Sequence, residues 1–577
     1  MRYGKLRRFA QLGAAATTGI ILAMQPQPSM ATPDSSPEAA FDWFLYQGSN
    51  PANAVERPGP NQYSNPIIEG FYPDPSLVRV GSDYYLVNSS FSYFPGLPIF
   101  HSRDLVNWTQ IGNAIDRPEQ IDFKQLGVSR GLFAPTIRLH QGTFYIVNTC
   151  VDCGGNFVIT AKRPEGPWSN PVFLPDLQSG IDPSLFFDTD GTAWIVNNDV
   201  PPGQPLYDGH RAIVLQQFDP VALKTVGPRT VIVNGGVDIS KKPVWIEGPH
   251  LFRKDGYYYL ICAEGGTGTN HSEVVFRSTA VRGPYVPLAN PMLTQRDLPA
   301  DRPYPVTSTG HADFVETQNG DWWSVFLGTR PYGDDLYNTG RETFLLPVRW
   351  KDGTPSILPP GEPVPLVHAR PNLPRQPRAK VPTNGSFSVR DEFDGRMLPP
   401  YWLNVRVPRE HWYRLQHGSL LLKPRPVGLG DMGNPSFLAR RQQHIDAAAS
   451  TAVRFQPRSE ADEAGIAAFQ NDAFWYSIGI ARDANGTVVR VRRRGGNKEP
   501  AGGVVVASTP IRLATGAALF LKIEAHGGRY DFLYATTPAH WKMLVRDADG
   551  TLLSTKAAGG FVGAMFGPFA TGGHTAP

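Results

Sequence analysis

Residues 74–87 read Asp74-Pro75-Ser76-Leu77-Val78-Arg79-Val80-Gly81-Ser82-Asp83-Tyr84-Tyr85-Leu86-Val87. A short apolar strand, a Gly-containing turn and an aromatic strand follow one another, the pattern of a β-hairpin. It returns as Ala134-Pro135-Thr136-Ile137 with Gly142-Thr143-Phe144-Tyr145-Ile146, and as Asp182-Pro183-Ser184-Leu185 with Gly191-Thr192-Ala193-Trp194-Ile195. The fourth copy is Glu247-Gly248-Pro249-His250-Leu251 with Asp255-Gly256-Tyr257-Tyr258-Tyr259. The fifth is His311-Ala312-Asp313-Phe314-Val315 with Gly320-Asp321-Trp322-Trp323-Ser324. Spacings of 60, 48, 65 and 64 residues separate the copies. Units of this length cannot bury a face alone, and five of them packed around an axis make a five-bladed β-propeller. A solenoid would repeat at a shorter, more regular period.

The geometry has a chemical consequence. The first residue of each innermost strand faces one mouth of the central channel, and those positions hold Asp74, Ala134, Asp182, Glu247 and His311. Three carboxyls and an imidazole thus meet in one pocket. Crowding buried acids is costly and raises the pKa of at least one of them. That arrangement suits hydrolytic chemistry and gives a purely structural protein nothing.

Composition agrees with an all-β chain. Of 577 residues, 41% are hydrophobic, 11% aromatic and only 18% charged, with 58 Gly and 55 Pro, which disfavours helical bundles. The net charge of +4 is matched by Arg2, Lys5, Arg7 and Arg8 alone, since residues 1–31 contain no acid. The neutral remainder has no electrostatic footprint for nucleic acid or an anionic membrane. The basic start, the apolar run Leu12–Met24 and Ser29-Met30-Ala31 have the order of a secretory signal peptide over residues 1–31, predicting a periplasmic or secreted protein. Cys150 and Cys153 form a C-x-x-C with no second pair to complete a zinc site, and Cys262 stands alone, so the cysteines read as structural or incidental.

Nine prolines between Pro355 and Pro382 mark a semi-rigid connector over residues 351–388. Beyond it, alternating strands such as Leu519-Phe520-Leu521-Lys522-Ile523, with turns at Asn485-Gly486 and Asp549-Gly550, predict a β-sandwich over 389–577. The run Arg490, Arg492, Arg493, Arg494 follows such a turn and reads as a solvated hairpin face.

Several stretches together resemble glycoside hydrolase family 43. They are Phe71-Tyr72-Pro73-Asp74-Pro75-Ser76, Tyr93-Phe94-Pro95-Gly96, Ile181-Asp182-Pro183-Ser184 and Ile246-Glu247-Gly248-Pro249-His250. The likeness is greatest to the family's β-xylosidases with a C-terminal sandwich, of concanavalin-like jelly-roll type. The resemblance implies a propeller over residues 65–350 and hydrolysis with inversion. Asp74 would then be the general base, Glu247 the general acid, and Asp182 the group that raises the Glu247 pKa and orients it. It also implies that Arg341, in Asn338-Thr339-Gly340-Arg341-Glu342-Thr343-Phe344, binds sugar hydroxyls, and that Phe91 and Phe133 form an apolar wall beside Thr267 and His311. His311 matches an axial histidine that in the family helps hold calcium or waters, so a structural calcium ion in the channel is an expectation. No cofactor is implied for the chemistry. The sandwich is expected to lean a loop over the mouth and to favour trimming of short chains from the non-reducing end.

The chain departs from the family in one respect. Such members end their sandwich with a strand resembling Ala-Asp-Phe-Asp-Trp-Phe, whereas here Ala39-Ala40-Phe41-Asp42-Trp43-Phe44-Leu45-Tyr46 sits within the N-terminal extension, residues 32–64. Residues 40–46 are expected to join the C-terminal sandwich as in a circular permutation. The expected activity is an exo-acting β-xylosidase on xylo-oligosaccharides. The alternatives are an α-L-arabinofuranosidase, or a bifunctional enzyme, acting on arabinoxylan or arabinan with arabino-oligosaccharides as substrate, and a propeller that binds carbohydrate without catalysis. No membrane partner is expected, and a homo-oligomer stays open.

Overall fold

The computed structural model describes residues 38–177 and 179–572; the expected signal peptide lies outside them. Five antiparallel sheets of at least four strands follow one another around an axis. Their innermost strands are Ser76–Val80, Thr136–His140, Ile181–Phe187, Glu247–Lys254 and Thr307–Glu316. Each hairpin inferred above is the inner half of a blade, pairing for example Leu77 with Leu86, Leu185 with Ile195 and Leu251 with Leu260. Alternation puts the aliphatic and aromatic side chains between neighbouring blades. Ile137 and Ile146 pack with Val87 and Ile99, while Val315, Trp323 and Val325 pack with Leu77 and Leu86, which closes the ring.

Two to four residues along from the mouth, all five blades join one hydrogen-bonded layer. Ser76 Oγ donates to Asp313 Oδ2 at 2.7 Å, and Arg138 reaches Asp313 Oδ2 and Oδ1 at 2.9 and 3.1 Å. His250 Nδ1 lies 3.1 Å from Arg138 and 3.0 Å from Ser184 Oγ. Arg138, followed by His250, outweighs burial and holds the Asp313 carboxyl down at about 2, while burial pushes His250 down to about 3.

The second half is a sandwich of two eight-stranded sheets. The strand Ala39–Ser49 lies inside one of them, antiparallel to Asp446–Arg454 on one side and to Ser419–Leu422 and Phe387–Asp391 on the other. Phe41, Phe44 and Tyr46 are wholly buried in its core. The proline-rich connector follows the propeller surface. Its strand Val367–Ala369 pairs with Gln62–Ser64, Arg370 meets Asp104 at 2.7 Å, and Thr383 Oγ1 donates to the Ile67 carbonyl.

The two halves are continuous. The propeller strand Tyr93–Phe94 forms the edge of the other sandwich sheet by pairing with Leu403–Val405. Arg441, buried in the sandwich, donates to the Phe71 carbonyl at 2.6 Å and stacks 4.1 Å from the Tyr72 ring. The arginine run differs from its sequence reading. Arg490 is buried and donates to the Arg482 carbonyl, and Arg492 pairs with buried Glu463 at 2.9 Å. Strand alternation sends Arg490, Arg492 and Arg494 to one face of a sheet that other segments partly cover, so charge patterning alone misjudged their exposure.

Candidate active site

The five mouth positions come together as the repeat demands: Asp74, Ala134, Asp182, Glu247 and His311 line one cavity of about 490 Å³. Local backbone turns them inward. Asp74, Asp182 and His311 have φ of 52°, 55° and 53°, in the sparsely populated left-handed region. Register breaks between Ile181 and Ser184, Glu247 and His250, and Gly310 and Asp313 place a bulge at each strand start. Gly248 is required at its position: its φ is 56°, and a Cβ there would stand 2.9 Å from the His311 ring. Glu273 fixes the last bulge, its Oε2 accepting from Ala312 N at 2.9 Å.

The three carboxyls occupy different electrostatic surroundings. Asp74 Oδ2 accepts from Ser89 at 2.5 Å, and its Oδ1 lies 3.3 Å from the Arg341 guanidinium and 3.9 Å from His311. Burial opposes ionisation, but Arg341 and His311 outweigh it and hold this carboxyl below the usual range. Asp182, fixed by Gly248 N at 3.1 Å, is pushed up by burial, with Asp74 adding to the effect. Glu247 is pushed up to about 8, by burial first and by the neighbouring Asp182 second. At neutral pH the pocket therefore offers an ionised carboxylate on one blade and a protonated carboxyl on another.

Phe91, Phe133, Thr267 and Arg341 also line the cavity. Sequence reasoning missed Arg130, Val244, Trp245 and Phe561 among the lining residues. Phe561 arrives from the sandwich on the loop Gly559–Gly563. It stacks on Phe91 with centroids 5.8 Å apart and sits edge-on to Phe133 at 5.9 Å, with the Arg341 guanidinium 5.2 Å from its ring. Its backbone N–H donates to Ser129 Oγ at 2.9 Å. The sequence clue is an aromatic residue between Gly560 and Gly563, which no repeat links to the mouth. Arg130, paired with Asp152 at 2.6 Å, and Trp245, stacked against Arg211 at 4.8 Å, complete the rim.

The donor set around His311 does not fit the calcium ion expected there. Calcium takes about six to eight oxygen ligands, whereas Asp74 is already engaged by Arg341 and Ser89, and the layer beneath carries the Arg138 cation. Among the described residues, the one grouping of metal-type side chains is Glu524, His526 and Asp531 on the sandwich. Cys150 and Cys153 are disulfide-bonded, and Cys262 is buried as a free thiol.

A propeller whose axial pocket pairs an ionised with a protonated carboxyl, walled by aromatic rings suited to sugar C–H faces, is a glycoside hydrolase. Residues 63–355 match the profile of Glycosyl hydrolases family 43, and residues 390–577 match that of the Beta xylosidase C-terminal Concanavalin A-like domain. The chain belongs to glycoside hydrolase family 43. It is 38% identical over 518 residues to a Xylosidase/arabinosidase of Butyrivibrio fibrisolvens, covering 88% of this chain and 95% of that one. A Non-reducing end alpha-L-arabinofuranosidase of Bacteroides ovatus is 36% identical over 88% of this chain and 91% of its own. The crystal structure of a GH43_12 retrieved from capybara gut metagenome superposes with a TM-score of 0.86 at 39% identity, covering 92% of this chain and 99% of that one.

Proposed function

We propose that the protein releases xylose from the non-reducing end of β-1,4-xylo-oligosaccharides with inversion at the anomeric carbon. The observation that carries this reading is the convergence of Asp74, Asp182 and Glu247 on one pocket, where Arg341 and His311 face the Asp74 carboxyl and burial beside Asp182 favours a protonated Glu247. Glu247 donates its proton to the glycosidic oxygen as the bond from that oxygen to C1 breaks. Asp74 accepts a proton from a water whose oxygen forms the new bond to C1 on the opposite face. Both carboxyls then return to their starting states by proton exchange with solvent. Asp182 positions Glu247 and keeps it protonated, and Arg341 steadies Asp74 and the sugar hydroxyls.

Phe91, Phe133 and Phe561 make a wall that stops the chain after the terminal sugar, hence exo-action. Relatives named for xylosidase and for arabinofuranosidase activity support a second reading, α-L-arabinofuranoside hydrolysis in the same pocket. Export is proposed with it, since the basic and apolar leader and the Cys150–Cys153 bond suit an oxidising compartment.

The test is a hydrolysis panel of xylobiose, arabino-oligosaccharides and the two corresponding aryl glycosides, with NMR of the first-formed anomer. Xylose appearing first as the α-anomer from xylobiose is the expected result; a β-anomer or an inert protein would overturn it.

A further inference from the structure

Arg492 of the arginine run lines a second hollow of about 300 Å³ that shares no lining residue with the catalytic cavity. It lies on the outer face of the sheet containing Glu463–Asn471, Phe474–Asp483, Gly486–Gly495 and Met565–Thr571. On these strands Ile466, Ile478, Val491 and Phe566 enter the sandwich core, and the alternate residues turn to the hollow. Ser477 stands opposite Arg492 and Glu463 opposite Thr571. Gly479 keeps the floor open for Glu463, whose Cγ would lie 3.1 Å from a Cβ at that position.

The polar groups are built in but not exhausted. Glu463 is 4% exposed and Trp475 3%. Glu463 Oε2 accepts from Arg492 Nε at 2.9 Å and the Ser477 hydroxyl also bears on the carboxyl, while Glu463 Oε1 makes no hydrogen bond within 3.5 Å and the Trp475 indole N–H has no hydrogen-bond partner among the described residues. Buried polar atoms are satisfied in the great majority of cases, so two such atoms in one hollow call for a ligand. The charges define its class. Arg492 offsets Glu463, and exposed Asp431 and Glu460 at the rim repel anions. Phe569 adds an apolar ring face. A carboxylate oxygen that accepts a hydroxyl, an indole that donates to one, and a ring that meets C–H groups together recognise a neutral sugar.

We propose that this hollow is a second, non-catalytic binding site for neutral pentose oligosaccharides, holding the polymer while the propeller trims it. The choice of a pentose chain rests on the activity proposed above.

The experiment is calorimetric and NMR titration of xylotetraose, up to tens of millimolar, into the full chain carrying Glu247→Gln. Two binding events are expected. Adding Gly502→Trp should abolish one, because Gly502 lines the hollow and a Cβ there meets nothing within 4 Å. Adding Arg492→Ala should weaken the same event at least tenfold. In the otherwise unaltered chain, Gly502→Trp should leave aryl xyloside turnover unchanged, which shows that the fold is intact. One event that Gly502→Trp does not touch overturns the second site. One event that Gly502→Trp removes keeps the second site and instead counts against xylan binding in the propeller.

Discussion

Two layers of five residues stack along the propeller axis, built by the same repeat and two to four positions apart. The deeper one, Ser76, Arg138, Ser184, His250 and Asp313, resolves its charges: one carboxylate, one guanidinium and hydroxyls that hydrogen-bond within the layer. The outer one crowds Asp74, Asp182 and Glu247 around a cavity with Arg341 as their close cation, and leaves Glu247 protonated. The contrast shows how one scaffold divides its work. The inner ring holds the blades together, and the outer ring keeps an electrostatic conflict that a substrate can use.

The strongest way to break the comparison is Glu247→Gln. Loss of the proton donor should lower kcat/KM on xylobiose by about 10²–10⁴-fold, with the melting temperature unchanged or higher because a conflicting acid is gone. Activated aryl xylosides should lose less, and parallel kinetics on both substrates checks this; equal losses would deny Glu247 its role. Next in size is Arg138→Met, which strands buried Asp313 without its cation. Chemical denaturation at neutral pH should show a loss of about 3–5 kcal/mol, with kcat at low temperature nearly retained.

The pH dependence separates the layers further. Glu247 titrates near 4.5 in the unfolded chain and about 8 in the folded one. Between those values only the native state holds the proton, so its contribution to stability declines as pH rises, by up to about 1.4 kcal/mol per unit. Asp313 behaves oppositely: its contribution is full above its ordinary pKa and is lost as pH falls toward about 2. The alkaline limb of kcat/KM should fall near pH 8 and move downward in Asp182→Asn, as a pH–rate profile would record. The smallest effect expected is for Phe561→Ala, a rise in KM of about tenfold, from aromatic contacts of about 0.5–1.5 kcal/mol each, with kcat less affected.

The blades and the mouth positions were legible because each is written as a repeated pattern, and the stray N-terminal strand because residues 39–46 resemble the strand with which family members close their sandwich. Asp74, Asp182 and Glu247 could be placed together because every hairpin copy carries the same starting position. Phe561 and Trp245 were not legible, since one comes from another domain and the other lies just ahead of the strand Glu247–Lys254, outside the repeated pattern. The deeper ring escaped notice because Arg138 and Asp313, separated by 175 residues, look like ordinary strand charges. The arginine run misled because period-two alternation, not local charge, decides which side chains are covered.

The strand Ala39–Ser49 leaves the ribosome early, yet its partners lie some 340–415 residues further along. During synthesis its rings at Phe41, Phe44 and Tyr46 have no native place to go while the whole propeller forms. Such a segment is an open edge for association with other chains, which gives chaperones a defined stretch to shield. It also means that neither half of the chain can be cut out at the proline connector as a self-sufficient module: the carboxyl-terminal piece would lack an internal rung, and the amino-terminal piece would carry that rung exposed.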